Sequence, residues 1–226
     1  MPSQAQIEHF RFKTDVAVGR YASLATGLIF GPRLAEVYIP YLLTLHQIVR
    51  ATVPLMRAGA AEAARRLAAG DETCRGIPEY YSMHADEETQ HVEWLLEDLA
   101  VMGVPTAEVL RRQPSPDVAA LVGSQYYWIY HFHPGFLLAY MVVMECYPLD
   151  ISDIDLFRER TGFPEAAFRT MLVHARLDPG HGRDLYRFME NSALSDEVFD
   201  GLASCSISTC AHLTRIFSDL AATPSA

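Results

Sequence analysis

Helical periodicity runs through most of this chain, and strand signals are scarce. No Asn-Gly or Asp-Gly hairpin turn is flanked by alternating apolar and polar residues, so nothing marks a β-ribbon. Proline and glycine punctuate the helical pattern instead. Leu34 to about Leu67 reads as one or two helices, with Pro40 and Pro54 as kinks or boundaries. A helix is expected from Pro78 to Met102, closed by Gly103 and Pro105, and another from Ser115-Pro116-Asp117 to about Phe132. Pro134-Gly135 breaks that one and opens the next, which Pro148 ends. A short helix over 153–161 follows, and Gly162-Phe163-Pro164-Glu165 begins a helix that meets Pro179-Gly180. Ser195 caps a last helix to about Leu220, leaving 220–226 as a loose tail. The expectation is an all-α bundle of about seven helices in a single domain, 1–226.

Of the 226 residues, 50% are hydrophobic and 20% charged, which suits one sizeable core. A formal net charge of -10 without a basic run argues against nucleic acid or an anionic membrane as partner. The longest uncharged apolar stretch, Phe136 to Met144, is far too short for a membrane span of about 20 residues. The polar N-terminus shows no secretory signal, and the four cysteines form no CxxC pair. A cytoplasmic protein is therefore expected.

Three segments carry metal-capable side chains. His84, Glu88 and His91 share one helical stripe that continues into apolar Leu95 and Leu99. An ExxH pair lets a carboxylate bridge two metals while the imidazole binds one, although so short a pattern also occurs on ordinary solvated faces. Glu145 is the only charge in the stretch from Phe136 to Pro148, and a buried carboxylate must find a cation, a metal or a proton. His174, Asp178 and His181 stand four and three residues apart, on one face of a helix that Pro179 is expected to kink. Imidazole plus carboxylate without thiolate suits iron or manganese better than structural zinc. Six such ligands are about right for two metals.

These segments, HADEETQHVEWLLEDL, Glu145 and HARLDPGH, resemble in order and spacing the haem-oxygenase-like di-iron oxidases and oxygenases, relatives of the thiaminase-II and pyrroloquinoline-quinone-synthase folds. The resemblance implies that Glu88 is a bridging carboxylate, with His91 and His174 on the first metal. Glu145, Asp178 and His181 would hold the second, with His84 an extra or occasional ligand. It further implies two Fe(II), with manganese able to replace one, O2 as co-substrate, no haem, an external electron donor and a homodimer. The expected substrate is a small amino-acid-like or amine metabolite, with oxidative decarboxylation of a fatty acid as the alternative. A metal-free, thiaminase-like hydrolase using Cys146 is the reading from another class. Arg176, Arg183, Arg50, Tyr126 and Tyr130 are weaker candidates for substrate contact; surface exposure for the arginines and core packing for the tyrosines are the default readings.

Overall fold

A computed structural model describes residues 1–222. Among these the chain forms eleven α-helices and no strand. They are α1 (Gln4–Ile29), α2 (Leu34–Val49), α3 (Thr52–Ala68), α4 (Ile77–Glu87), α5 (His91–Val101) and α6 (Thr106–Arg111), then α7 (Pro116–His131), α8 (Phe136–Glu145), α9 (Ile151–Thr161), α10 (Arg169–Glu190) and α11 (Asp196–Ala222). The count exceeds the expected seven because the 34–67 stretch forms two helices, α2 and α3, and for three further reasons. The polar N-terminus folds as a long helix, started by a capping box between Ser3 and Gln6. The expected 78–102 helix is divided by a tight 3-10 turn over Glu88–Gln90. The Thr106–Arg111 segment forms a short helix of its own. Residues 220–222 belong to α11 rather than to a tail, and 223–226 lie outside the described residues.

The remaining boundaries follow local chemistry. Ser115 caps α7 by accepting from the Val118 amide at 3.2 Å, with Pro116 at the first helical position, where its missing N–H costs nothing. Gly162 ends α9 in the left-handed region at φ 67°, which glycine adopts without a Cβ penalty. Pro40 and Pro179 lie inside α2 and α10 and break neither. At Pro179 the missing amide removes one helical bond to the Ala175 carbonyl, but the helix continues to Glu190. The apolar side chains of α10 supply the compensation: Met171, Leu185 and Met189 are buried on either side of the proline.

Two apolar clusters make up the core. One joins α1, α3, α4, α7, α8 and α11, with Phe136, Leu137, Leu138, Tyr81 and Phe199 almost fully buried. The other joins α2, α5 and α9 with the start of α10, around Tyr38, Leu42, Leu95, Leu99, Phe157 and Phe168. Helix α10 contributes to both, through Leu185 and Met189 to the first and Met171 to the second. The elements bearing the candidate ligands, α4, α5, α8 and α10, come together along the seam between them.

Candidate metal centre

The tight turn between α4 and α5 sets the first group. Side chains three apart eclipse one another in a 3-10 turn, and Glu88 and His91 bracket this one, with Glu88 Oε2 2.6 Å from His91 Nδ1. His174 reaches them from α10, its ring centroid 4.5 Å from that of His91. Ligand-capable atoms of Glu88, His91 and His174 all lie within 4.8 Å of one another. His174 Nδ1 sits 2.8 Å from the Thr170 carbonyl. A carbonyl only accepts, so Nδ1 carries the proton and Nε2 presents a lone pair, as a metal-ligating imidazole requires. The Thr170 amide in turn donates to Oδ2 of the fully buried Asp98 at 2.9 Å. Helix α5 thus supplies His91 and also anchors the turn that orients His174.

A second group forms from α4, α8 and α10. His84 Nε2 lies 3.1 Å from Glu145 Oε2, and the His84 and His181 rings meet edge to face at 5.0 Å. Ligand-capable atoms of His84, Glu145 and His181 again lie within 4.8 Å of one another. Gly182 eases this approach: a Cβ there would stand 3.2 Å from Cys146 Sγ, a tight contact, so glycine lets α10 lie close to the end of α8 without displacing that thiol. Asp178 is buried between the groups but belongs to neither tight triad among the described residues. The second triad therefore contains His84 where the resemblance implied Asp178. The reason is register: His84 is one turn before Glu88 on α4, and its ring faces Glu145 directly.

Electrostatics set the charge of this interior. Burial opposes ionisation of Glu88, yet His91, His174 and His84 hold its carboxyl below the usual range. Burial, reinforced by His91, lowers His174. Burial also pulls His84 down, but Glu145, Glu88 and Glu87 outweigh it and raise this imidazole. Asp178 is pushed up to about 8, by burial first and then by Glu145 and Glu88. Near neutrality it is mostly a protonated acid between two carboxylates.

The donor atoms fit metal ions on one observation above all. His84 Nε2, both nitrogens of His91, Glu145 Oε2 and His181 Nδ1 are buried without a hydrogen-bond partner. His84 Nε2 and Glu145 Oε2 are 3.1 Å apart and His91 Nδ1 and Glu88 Oε2 2.6 Å apart, close pairs that satisfy no hydrogen-bond geometry at these atoms. A buried polar atom left unpaired costs about 1–3 kcal/mol. The convergence of these atoms in one interior is explained by cations that take the carboxylate oxygens and one nitrogen lone pair of each imidazole.

A third cluster fails the same test. Asp71, Cys74 and His133 also lie within 4.8 Å, but the Gly135 amide donates to His133 Nδ1 at 3.0 Å. The proton must then sit on Nε2, which faces Thr73 Oγ1 at 3.0 Å. The Thr73 hydroxyl passes the chain on to Asp71. No imidazole lone pair remains for a metal, and the group is a hydrogen-bonded latch between the 71–74 turn and the start of α8.

The weaker candidates are dispersed. Arg183 is exposed and lines an open cleft of about 520 Å³ outside Asp178. Arg176 is exposed and lines neither that cleft nor the inner cavity. Tyr126 and Tyr130 stack on each other on α7, with Tyr130 half exposed, and Arg50 ends α2; none of the three lines a cavity against the centre. Side chains absent from the sequence reading do meet the centre. Glu87 is exposed at 48%, yet its Oε2 lies 3.5 Å from His84 Nδ1 and 3.9 Å from His181 Nε2. Tyr140 lines the inner cavity with an unpartnered buried hydroxyl, and Tyr80 stacks beside His84 with another. Their aromatic character read as core, and the one signal available was spacing: Tyr80 precedes His84, and Tyr140 precedes Glu145, by about one helical turn.

No family model matches the chain, and no curated protein matches it. Solved structures do. A domain of unknown function with a heme oxygenase-like fold from Shewanella denitrificans OS217 superposes with a TM-score of 0.76 at 16% identity, covering 97% of this chain and 92% of that one. A TenA homologue from Pseudomonas syringae pv. tomato DC3000 gives 0.71 at 11% identity, covering 96% and 92%. The chain therefore has the haem-oxygenase-like fold expected from its sequence.

Proposed function

We propose that this protein is an O2-dependent, non-haem di-iron oxidase that acts on a small organic substrate with an apolar body. The observation that carries the reading is the convergence of unpartnered, buried imidazole and carboxylate atoms in two adjacent triads. Glu88, His91 and His174 would hold one ion; His84, Glu145 and His181 would hold the other, with Asp178 between them. Two ferrous ions, when bound, supply the electrons that reduce dioxygen. The chain's own residues do the rest. Thr170 and Asp98 fix the His174 tautomer and orientation. Asp178 gives up a proton when cations arrive, because their charge removes the reason for its raised pKa. Tyr140 offers a hydroxyl toward the inner cavity. That cavity, of about 180 Å³, is walled largely by apolar side chains, among them Leu45, Val49, Met56, Met144 and Met171.

The same lining bears on the substrate. It contains no Arg or Lys, so the planar clamp that an amino-acid carboxylate would want is missing at the centre. A fatty acid carries a carboxylate too, so it is the mainly apolar wall, not the missing clamp, that favours the apolar branch of the substrate expectation. The thiaminase-like alternative is disfavoured by Cys146, whose thiol burial and the Glu145 carboxylate push up to about 12, far from the thiolate a nucleophile needs.

Anaerobic loading with Fe(II), followed by metal analysis, tests the reading. Close to two irons per chain are expected, falling to about one in His91→Ala and in His181→Ala, with a transient visible absorbance when O2 is added to the loaded wild type. Unchanged iron uptake in both variants would sink it.

A further inference from the structure

Three of the chain's eight methionines, Met56, Met144 and Met171, line the inner cavity together with Glu88, Glu145 and His174. Methionine fills irregular apolar gaps, and packing alone accounts for Met141 and Met189, which are buried and line no part of this cavity. The three around the cavity have a further property. A thioether sulfur carries a lone pair that takes up an oxygen atom in one two-electron step, giving the sulfoxide. The space measures only about 180 Å³, so an oxidant generated against Glu88, Glu145 or His174 has these side chains for walls.

The three are not equivalent. Met171 Sδ lies 3.3 Å from the Tyr38 hydroxyl, which ties it to the second apolar cluster. Met56 is 1% exposed and comes from α3, a helix that carries no donor of either triad. Met144 directly precedes Glu145 on α8, and it alone of the three keeps partial exposure. Accessible surface is what a small oxidant reaches. The next sulfur along the chain, Cys146, lines the outer cleft and not the inner cavity.

We propose that Met144 is a modification site, an internal oxygen acceptor converted to the sulfoxide when the iron-loaded protein meets dioxygen with no substrate in the inner cavity. It rests on the oxidase reading for the oxidant. Atoms and electrons balance on one dioxygen molecule. The sulfur gives up two electrons and takes one oxygen atom. Two ferrous ions give up one electron each, and the second oxygen atom leaves as water with two protons from solvent. The product sets a polar S–O group into a wall that is otherwise largely aliphatic and aromatic. A polar group there disfavours an apolar occupant, so turnover without substrate closes the site to later turnover.

Peptide mapping by mass spectrometry tests this. The full-length chain is loaded anaerobically with Fe(II), then exposed to isotopically labelled dioxygen without substrate while oxygen uptake is recorded. At most one labelled oxygen atom per chain is expected, on Met144. Hydrogen peroxide added to the metal-free chain is expected to mark Met83 first, which is 53% exposed. Met144→Leu keeps the apolar bulk and is expected to lose the label rather than pass it to Met83. Circular dichroism checks the fold of the variant; if it does not fold, the wild-type maps under the two oxidants decide. Oxygen consumed with Met144 unlabelled overturns the assignment and leaves the oxidase reading standing. Met144 marked first under both oxidants also overturns it, since its reactivity would then be its own and not the centre's. An iron-loaded chain that consumes no oxygen overturns the oxidase reading, and the modification with it.

Discussion

Asp178 offers the sharpest quantitative test of the centre. In the unfolded chain its carboxyl titrates near 3.8, and in the folded, metal-free protein near 8, because it is buried and faces Glu145 and Glu88. A carboxyl whose folded pKa is raised contributes stability that is intact below the unfolded pKa. That stability is lost as pH climbs through the folded one. Each pH unit above 3.8 costs about 1.4 kcal/mol until the folded group itself ionises near 8. Between about pH 5 and about pH 8 the loss is about 3.5 kcal/mol at most, and about half of that once protein relaxation and water from the adjoining cleft soften the penalty. Asp178→Asn removes the ionisation. Chemical denaturation of metal-free protein is expected to show the variant more stable than wild type by about 2 kcal/mol near pH 8, with the gap closing toward pH 5. The same substitution is expected to weaken metal loading, since the carboxylate whose formation costs stability in the metal-free protein is the one a cation would stabilise. A variant less stable than wild type at high pH, or a gap independent of pH, would refute the picture of a protonated acid among carboxylates.

Two further outcomes follow from the polar links around the core. Burial, with Arg66, depresses His133 to about 4, so its contribution to stability is present above about 6.5 and lost as pH falls toward 4, by about 3 kcal/mol at most. Acid denaturation of His133→Asn should show a shallower pH dependence than wild type, and an equally steep curve would exclude the latch. Asp98→Asn should weaken metal binding about 10–100-fold, read by competition with a chromogenic chelator, while His181→Ala leaves the affinity of the Glu88–His91–His174 triad near its wild-type value; equal losses in both variants would show that the triads are not separate.

How much of this was legible in the sequence differs from residue to residue. Glu145 stood out because a lone charge in an apolar helix needs a reason, and the structure gives it an imidazole neighbour at 3.1 Å. The spacing of His174, Asp178 and His181 placed them on one face of α10, and all three reach the centre's surroundings. Pro179 misled as a helix end, since local propensity argues for a stop there while the helix, buried on both sides of the proline, runs on to Glu190. The division between α4 and α5 was invisible: a tight turn over Glu88–Gln90 leaves the apolar periodicity almost unchanged, yet it decides how Glu88 and His91 meet. Glu87, Tyr140 and Asp98 could not be read as part of the site because their roles depend on what packs opposite them, a long-range fact that one helix's pattern does not contain.

The seam between the two apolar clusters has a consequence for how the molecule responds to occupancy. Across most of the interior, side chains interlock and hold their neighbours by contact, but along this line the neighbours are carboxylates and imidazoles with nothing to grip. Helix α10 lies along it like a zip fastener, three of its teeth being His174, Asp178 and His181. Cations at those teeth would cross-link segments nearly a hundred residues apart in the sequence, the kind of closure that removes most freedom from an unfolded chain. Without them, the amides of α10 are the ones expected to exchange with solvent first.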